Sequence, residues 1–273
     1  MFQNFKKCFC TLFLSVVLIG CAEQSSKEKA SSSADMLSYA KNAEELYKKG
    51  MQKLDSHNVT EASKIFTQLK EKYPYSRYAQ LAELRLADCD FESEDFAQAG
   101  QKYKDFVRRY PSHPEVGYSM YRRAMSTYKR IPGSLFILPR VYERDLSFAK
   151  EAAREFKEFL DFFPQSPYFE DAKKHYLECL DLLVKHELTI ARYYFDRGKY
   201  DGAIARCKKV MEKLEESNLV PSAILLLGEC YLKMKKSDQA QWAFTYLISK
   251  YPLSYQAKQA KLYVEAEKNN VKK

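Results

Sequence analysis

Three times in this chain a small residue is followed 12 positions on by Ala, 4 further by an aromatic ring, and 8 beyond that by Pro. The sets are Gly50–Ala62–Phe66–Pro74, Ala87–Ala99–Tyr103–Pro111 and Gly228–Ala240–Phe244–Pro252. This is the spacing of a tetratricopeptide-type helix pair, a unit of about 34 residues. Small residues let two antiparallel helices approach, the aromatic fills space between neighbouring pairs, and Pro stops the second helix because it cannot continue the hydrogen-bond ladder. The expected fold class is therefore all-α, a superhelical solenoid of about five such pairs. The usual work of that architecture is holding another polypeptide. Only 8 Gly and 9 Pro in 273 residues agree with an almost wholly helical body. The 21 Tyr and 17 Phe suit both inter-helix packing and half-exposed groove walls.

The N-terminus is a processing segment rather than part of the fold. Lys6 and Lys7 precede an apolar run, Phe9 to Ile19, too short for a membrane-spanning helix. It ends in Leu18-Ile19-Gly20-Cys21, similar to a bacterial lipobox, so residues 1–20 are expected to be removed and Cys21 to carry lipid. Two acyl chains would anchor stably where one gives only marginal binding. Ala22 after the cysteine, rather than Asp, favours the outer membrane by analogy with Gram-negative sorting. Residues 21–38 read as a lipidated flexible tether with a reach of roughly 23 Å. The repeat body is expected over 39–268, followed by a basic tail, 269–273. Without Lys6 and Lys7 the formal charge falls from +9 to +7, spread over 43 cations and 36 anions. No concentrated basic arm is visible, so nucleic acid is not an expected partner.

Helices are expected near Tyr39–Leu54, Val59–Lys72 and from Asp145, with a long one from Tyr168 to Arg197, where neither Pro nor Gly occurs. The second helix of repeat four is expected from Tyr200 to Glu216, and a final helix from Ser254 to about Lys268 caps the array. Repeat three is interrupted at Ile131-Pro132-Gly133, and the inserted segment Pro132 to Arg144 is strongly apolar. Carboxylates are expected at exposed helix positions, paired with Lys. His175 and Cys179 stand i,i+4 on one helix, but a zinc site needs further ligands that nothing nearby supplies. No phosphate-binding glycine loop, nucleophile elbow or His-Glu-x-x-His appears. No enzyme, metal or cofactor is expected beyond the lipid on Cys21. Cys89, Cys179, Cys207 and Cys230 lie within helical patterns, with no disulfide framework evident.

Specific stretches resemble one family, the BamD (ComL) lipoproteins of the outer-membrane β-barrel assembly machinery. They are Tyr110 to Arg123 (YPSHPEVGYSMYRR), Arg144-Asp145 with Ala149, Ala152, Phe156 and Phe159, then Phe163 to Tyr168 (FPQSPY) and Asp171-Ala172. The most distinctive runs from His186-Glu187 through Ile190 to Tyr200 (IARYYFDRGKY) and on to Ala203 and Arg206. Glu115 and Gly117 depart from the family's Asn and Asp. The resemblance implies a non-enzymatic adaptor lipid-anchored on the periplasmic face of the outer membrane, working with BamA and other subunits of the machinery. Its N-terminal half, about 39–165, would receive the aromatic-ending C-terminal signal of unfolded outer-membrane proteins. Its C-terminal half, about 166–268, would dock the POTRA region of BamA. Candidate groove residues are Tyr73, Tyr75, Arg77, Tyr78, Tyr118, Tyr121 and Arg122, and candidate docking residues are Arg197, Tyr200 and Arg206. The rival reading is a lipid-anchored scaffold for other envelope or peptidoglycan proteins.

Overall fold

The computed structural model describes residues 36–133 and 140–271. Cys21, most of the tether, the centre of the inserted segment and the last residues of the tail lie outside them. The described residues form eleven α-helices and one 3-10 turn, with no strand among them. The fold class is all-α, of tetratricopeptide type. The chain divides into two compact units, one ending at Glu94 and the other beginning at Asp95.

The first unit holds α1 (36–55), α2 (Val59–Lys72) and α3 (Arg77–Glu92). Helix α1 is already formed at 36, so Met36 and Leu37 belong to the body and not to the tether. His57 turns the chain with φ +58°, and Asn58 then caps α2 by accepting from the Glu61 N–H at 3.3 Å. Ser76 caps α3 in the same way, accepting from Ala79 N–H at 3.2 Å. The core is Ala62, Phe66, Leu69, Ala79, Ala82 and Cys89. Phe66 shows what the repeat spacing encodes: a Cβ on Gly50 would lie 2.5 Å from its ring. The small residue and the aromatic are thus one contact within a helix pair, in addition to the space the aromatic fills towards the next pair.

The second unit comprises α4 (Phe96–Arg109), α5 (Val116–Lys129), the 3-10 turn Val141–Glu143, α6 (Ser147–Phe162), α7 (Phe169–Asp196), α8 (Tyr200–Lys213), α9 (Val220–Lys233), α10 (Ser237–Lys250) and α11 (Tyr255–Val271). Each helix packs on the next. Two apolar clusters result, one around Phe156 and Phe159, the other around Ile224, Leu227, Phe244 and Leu247. The 28-residue α7 serves both: Tyr176, Cys179 and Leu180 enter the first, Val184 and Ala191 the second. Helix α11 packs on α9 and α10, burying Ala257 and Ala260, as expected of a cap.

Two boundaries differ from expectation for local reasons. Helix α6 begins at Ser147 because Asp145 accepts from the Ser147 N–H at 2.9 Å, acting from outside the helix. Helix α8 ends at Lys213, not Glu216. There the buried Ser217 donates to Asp181 at 2.6 Å and accepts from Leu219 N–H, which pulls the chain into a turn. Carboxylates also depart from the expected exposed role, since Asp88, Glu155 and Glu187 are buried. Each has a cation: Arg85 at 2.6 Å from Asp88, Arg123 at 3.0 Å from Glu155, and Lys209 at 2.6 Å from Glu187. Burial without such partners would cost several kcal/mol.

Candidate functional site

In the first unit, the turn between α2 and α3 brings Tyr73, Tyr75, Arg77 and Tyr78 beside the start of α1. Tyr73 meets the ring of Tyr39 edge-on at 4.9 Å, and Tyr39 Oη accepts from the Tyr75 N–H at 3.4 Å. The Tyr75 side chain itself is 95% exposed. Arg77 donates to Tyr78 Oη at 2.8 Å and lies 4.8 Å from that ring's centroid. Tyr75, Arg77 and Tyr78 line a groove of about 670 Å3 with Met36, Leu37, Tyr39 and Lys41. Its walls are aromatic and aliphatic, and its charges are Lys41, Arg77 and a Glu44 already paired with Lys48 at 2.7 Å. Such a groove can take an extended segment with an aromatic side chain, and its free cation can meet a carboxylate. Tyr73 supports the wall through Tyr39 rather than lining the groove. The α1 side was missed from sequence because Met36 and Leu37 follow a Ser-rich stretch that reads as tether.

Tyr118, Tyr121 and Arg122 all lie on α5, in the second unit. Tyr121 is committed internally: its hydroxyl donates to Asp171 at 2.6 Å, and its ring stacks on Tyr168 at 4.7 Å. Burial, then the bond to Asp171, push its phenol well above the usual range. Arg122 donates to Tyr103 Oη at 3.2 Å. Tyr118 lines a separate pocket of about 550 Å3 with Pro114, Phe162, Phe163, Pro167 and Tyr168. Phe162, 69% exposed, was not expected from sequence. Gly117 has a steric reason, since a Cβ there would stand 3.1 Å from the Phe163 ring. A larger residue would press against that pocket wall.

Of the docking candidates, Arg197 closes α7 and Tyr200 opens α8. Arg197 bonds the hydroxyl of Tyr193 and lies 4.0 Å from its ring centroid, while Tyr200 meets Phe195 edge-on at 5.6 Å. Arg206 stands further along α8, with Nη1 3.1 Å from Glu187 Oε2, and Lys209 shares the same carboxylate. Burial pushes the Glu187 carboxyl up, but Lys209 and Arg206 outweigh it and hold the group below its ordinary value. The stability this group adds is therefore present above its unfolded range and lost as pH falls through the folded value. Glu155 is shifted the other way, upward, because burial outweighs Arg123 and Thr127. Sequence reasoning missed Glu187 and Lys209 as partners of Arg206.

Among the described residues, no three His, Cys, Asp or Glu side chains are placed to hold one metal ion. His175 lies 3.0 Å from Glu178 and 3.6 Å from Asp171. Burial, then Glu178, push the Cys179 thiol up to about 12, so it is a protonated core side chain rather than a thiolate ligand. The four cysteines of the described body are buried thiols.

The chain matches the family model YfiO, described as outer membrane lipoprotein, over residues 39–245. The outer membrane protein assembly factor BamD of Neisseria gonorrhoeae is 28% identical over 251 residues, covering 91% of this chain and 92% of that protein. The BamD of Xylella fastidiosa (strain Temecula1) is 30% identical over 193 residues, covering 69% and 65%. That of Haemophilus influenzae is 24% identical, covering 84% of each. Among solved structures, the TPR2AB-domain complex of yeast Sti1 gives a TM-score of 0.40 at 13% identity, covering 82% of this chain and 84% of that one.

Proposed function

This chain belongs to the YfiO family of outer membrane lipoproteins, to which BamD resemblance also leads, and on that premise we propose that it is a non-enzymatic assembly factor for outer-membrane β-barrel proteins. The observation that carries the reading is the similarity to BamD proteins over nine-tenths of the chain. In detail, the groove of the first unit receives the aromatic-ending C-terminus of an unfolded barrel protein. Tyr75 and Tyr78 offer ring faces, and Arg77 meets the terminal carboxylate. Tyr118 and Phe162 give a second aromatic surface for the same extended chain. The α7–α8 region, with Arg197, Tyr200 and Arg206, docks the POTRA region of BamA. Cys21 anchors the chain by covalent lipid to the periplasmic face of the outer membrane.

The docking role of Arg206 is best tested by a variant that spares its partner Glu187. Because it pairs with the buried Glu187, Arg206→Glu would set two carboxylates together and lower stability by itself. Arg206→Met removes the charge without that repulsion.

The signal-receiving step is tested by fluorescence anisotropy with a synthetic peptide ending in Phe and a free carboxylate. Tyr75→Ala with Arg77→Ala is expected to weaken binding by about tenfold or more, the effect of an interface anchor of about 1.4 kcal/mol. Both side chains are exposed, so the fold should be unaffected. Amidation of the peptide C-terminus should reproduce part of the loss. Equal affinity for wild type and variant would remove this groove from signal recognition.

A further inference from the structure

The outer lip of the first unit's groove consists of Met36 and Leu37, each 72% exposed, with Ala40 and Lys41 on the next turn of α1, both also exposed. These two adjacent large apolar side chains on an exposed helical turn are left uncovered by the described residues. They join Tyr39 and Tyr75 in one continuous apolar rim, which a soluble surface ordinarily avoids. Lys41 makes no ion pair among the described residues, and Arg77 on the facing turn donates to the Tyr78 hydroxyl, with the Glu44 carboxylate acting on it from the same groove. The lip is therefore apolar at its edge and cationic behind it.

What covers the lip follows from where the chain leaves the structure. Only 14 residues, 22–35, separate Cys21 from Met36, an r.m.s. separation of roughly 20 Å for a flexible chain of that length and at most about 50 Å fully extended. The apolar lip is the first part of the body that the connection reaches. Aliphatic and Tyr side chains backed by Lys and Arg are the composition that settles at a bilayer interface, with rings and aliphatic groups at headgroup depth and cations among anionic phosphates.

We propose that Met36, Leu37 and Lys41 form a second membrane contact, seating the first unit on an anionic lipid surface beside the acyl anchor. This rests on the lipid-anchor part of the function proposed above. Acyl chains alone give a single point of attachment. The lip fixes one edge of the body against the leaflet and points the groove along the membrane surface, with Tyr75 and Tyr78 left for polypeptide. A weak contact suffices, because the anchor already holds the lip near the bilayer at high effective concentration.

The test uses the mature chain carrying Cys21→Ser, so that binding by the lip is read without the anchor. Flotation with vesicles of phosphatidylethanolamine and phosphatidylglycerol should recover the protein, and phosphatidylcholine vesicles should recover about tenfold less, in keeping with a few cations at an anionic surface. Met36→Asp with Leu37→Asp should reduce recovery by the anionic vesicles about tenfold while leaving the thermal unfolding curve unchanged, since both side chains are exposed. Equal flotation of wild type and variant, or no flotation of either, would overturn the proposal. So would a variant that still floats but no longer binds peptide, since the lip would then belong to the polypeptide groove. The anchor reading fails separately, if intact mass spectrometry of the wild-type chain from membranes shows no acyl mass on Cys21.

Discussion

Phe244→Ala is expected to destabilise the second unit by about 3–5 kcal/mol, the usual cost of emptying a fully buried ring site. Phe244 is completely buried on α10. One side of its ring covers Gly228 of α9, where a Cβ would lie 2.7 Å from Cζ, and Tyr263 of α11 stacks on it at 4.9 Å with the planes 7° apart. One side chain thus joins three helices, and the backbones around it cannot collapse into the space it leaves. The reciprocal change, Gly228→Ala, overpacks the same contact. Overpacking costs about 1–3 kcal/mol, against a helix-propensity gain of about 1 kcal/mol, so its net effect is smaller than that of Phe244→Ala. Urea unfolding followed by circular dichroism measures both. A Phe244→Ala loss below about 1 kcal/mol would mean that the aromatic–small pair is not what holds these repeats together.

Cys21→Ser is expected to transfer the protein from the membrane to the soluble envelope fraction. The Leu18-Ile19-Gly20-Cys21 motif supplies the only anchoring signal legible in the sequence, and among the described residues no helix is long and apolar enough to cross a membrane. Each buried methylene of an acyl chain contributes about 0.8 kcal/mol, so a diacylated cysteine dominates any contact made by Met36 and Leu37. The lip contact, acting alone, gives reversible binding that washing removes. Cell fractionation with carbonate extraction decides the matter. Full, carbonate-resistant membrane retention of the serine variant would refute the anchor.

Much of the fold was legible because tetratricopeptide packing is written in local spacing. The limits of α2 were expected at Val59 and Lys72 and are found there, since Asn58 and Pro74 punctuate them chemically. The long α7 was legible from a run without Pro or Gly. Some backbone features carry weaker signals. The tight turns at His57, Glu94 and Lys235 use the left-handed conformation without glycine, and only Gly198 announces it. The candidate site was read less completely, because its determinants are tertiary. Glu155 and Glu187 look in sequence like any solvent-facing helix carboxylate, and only the helix opposite reveals the cations that bury with them. Tyr121 and Tyr118 are neighbours on one helix, yet the first is used by Asp171 and Tyr168 while the second lines a pocket. Met36 and Leu37 were hidden by the polar stretch before them, whose composition says nothing of where a helix begins.

The central claim is membership of a working assembly machine, and its most direct measurement is a mild-detergent pull-down of the chain from its native membrane, with mass spectrometry of what co-elutes. A POTRA-bearing outer-membrane barrel recovered at near-stoichiometric yield is the predicted result. Clean recovery of cell-wall or division proteins, with no such barrel, would contradict it.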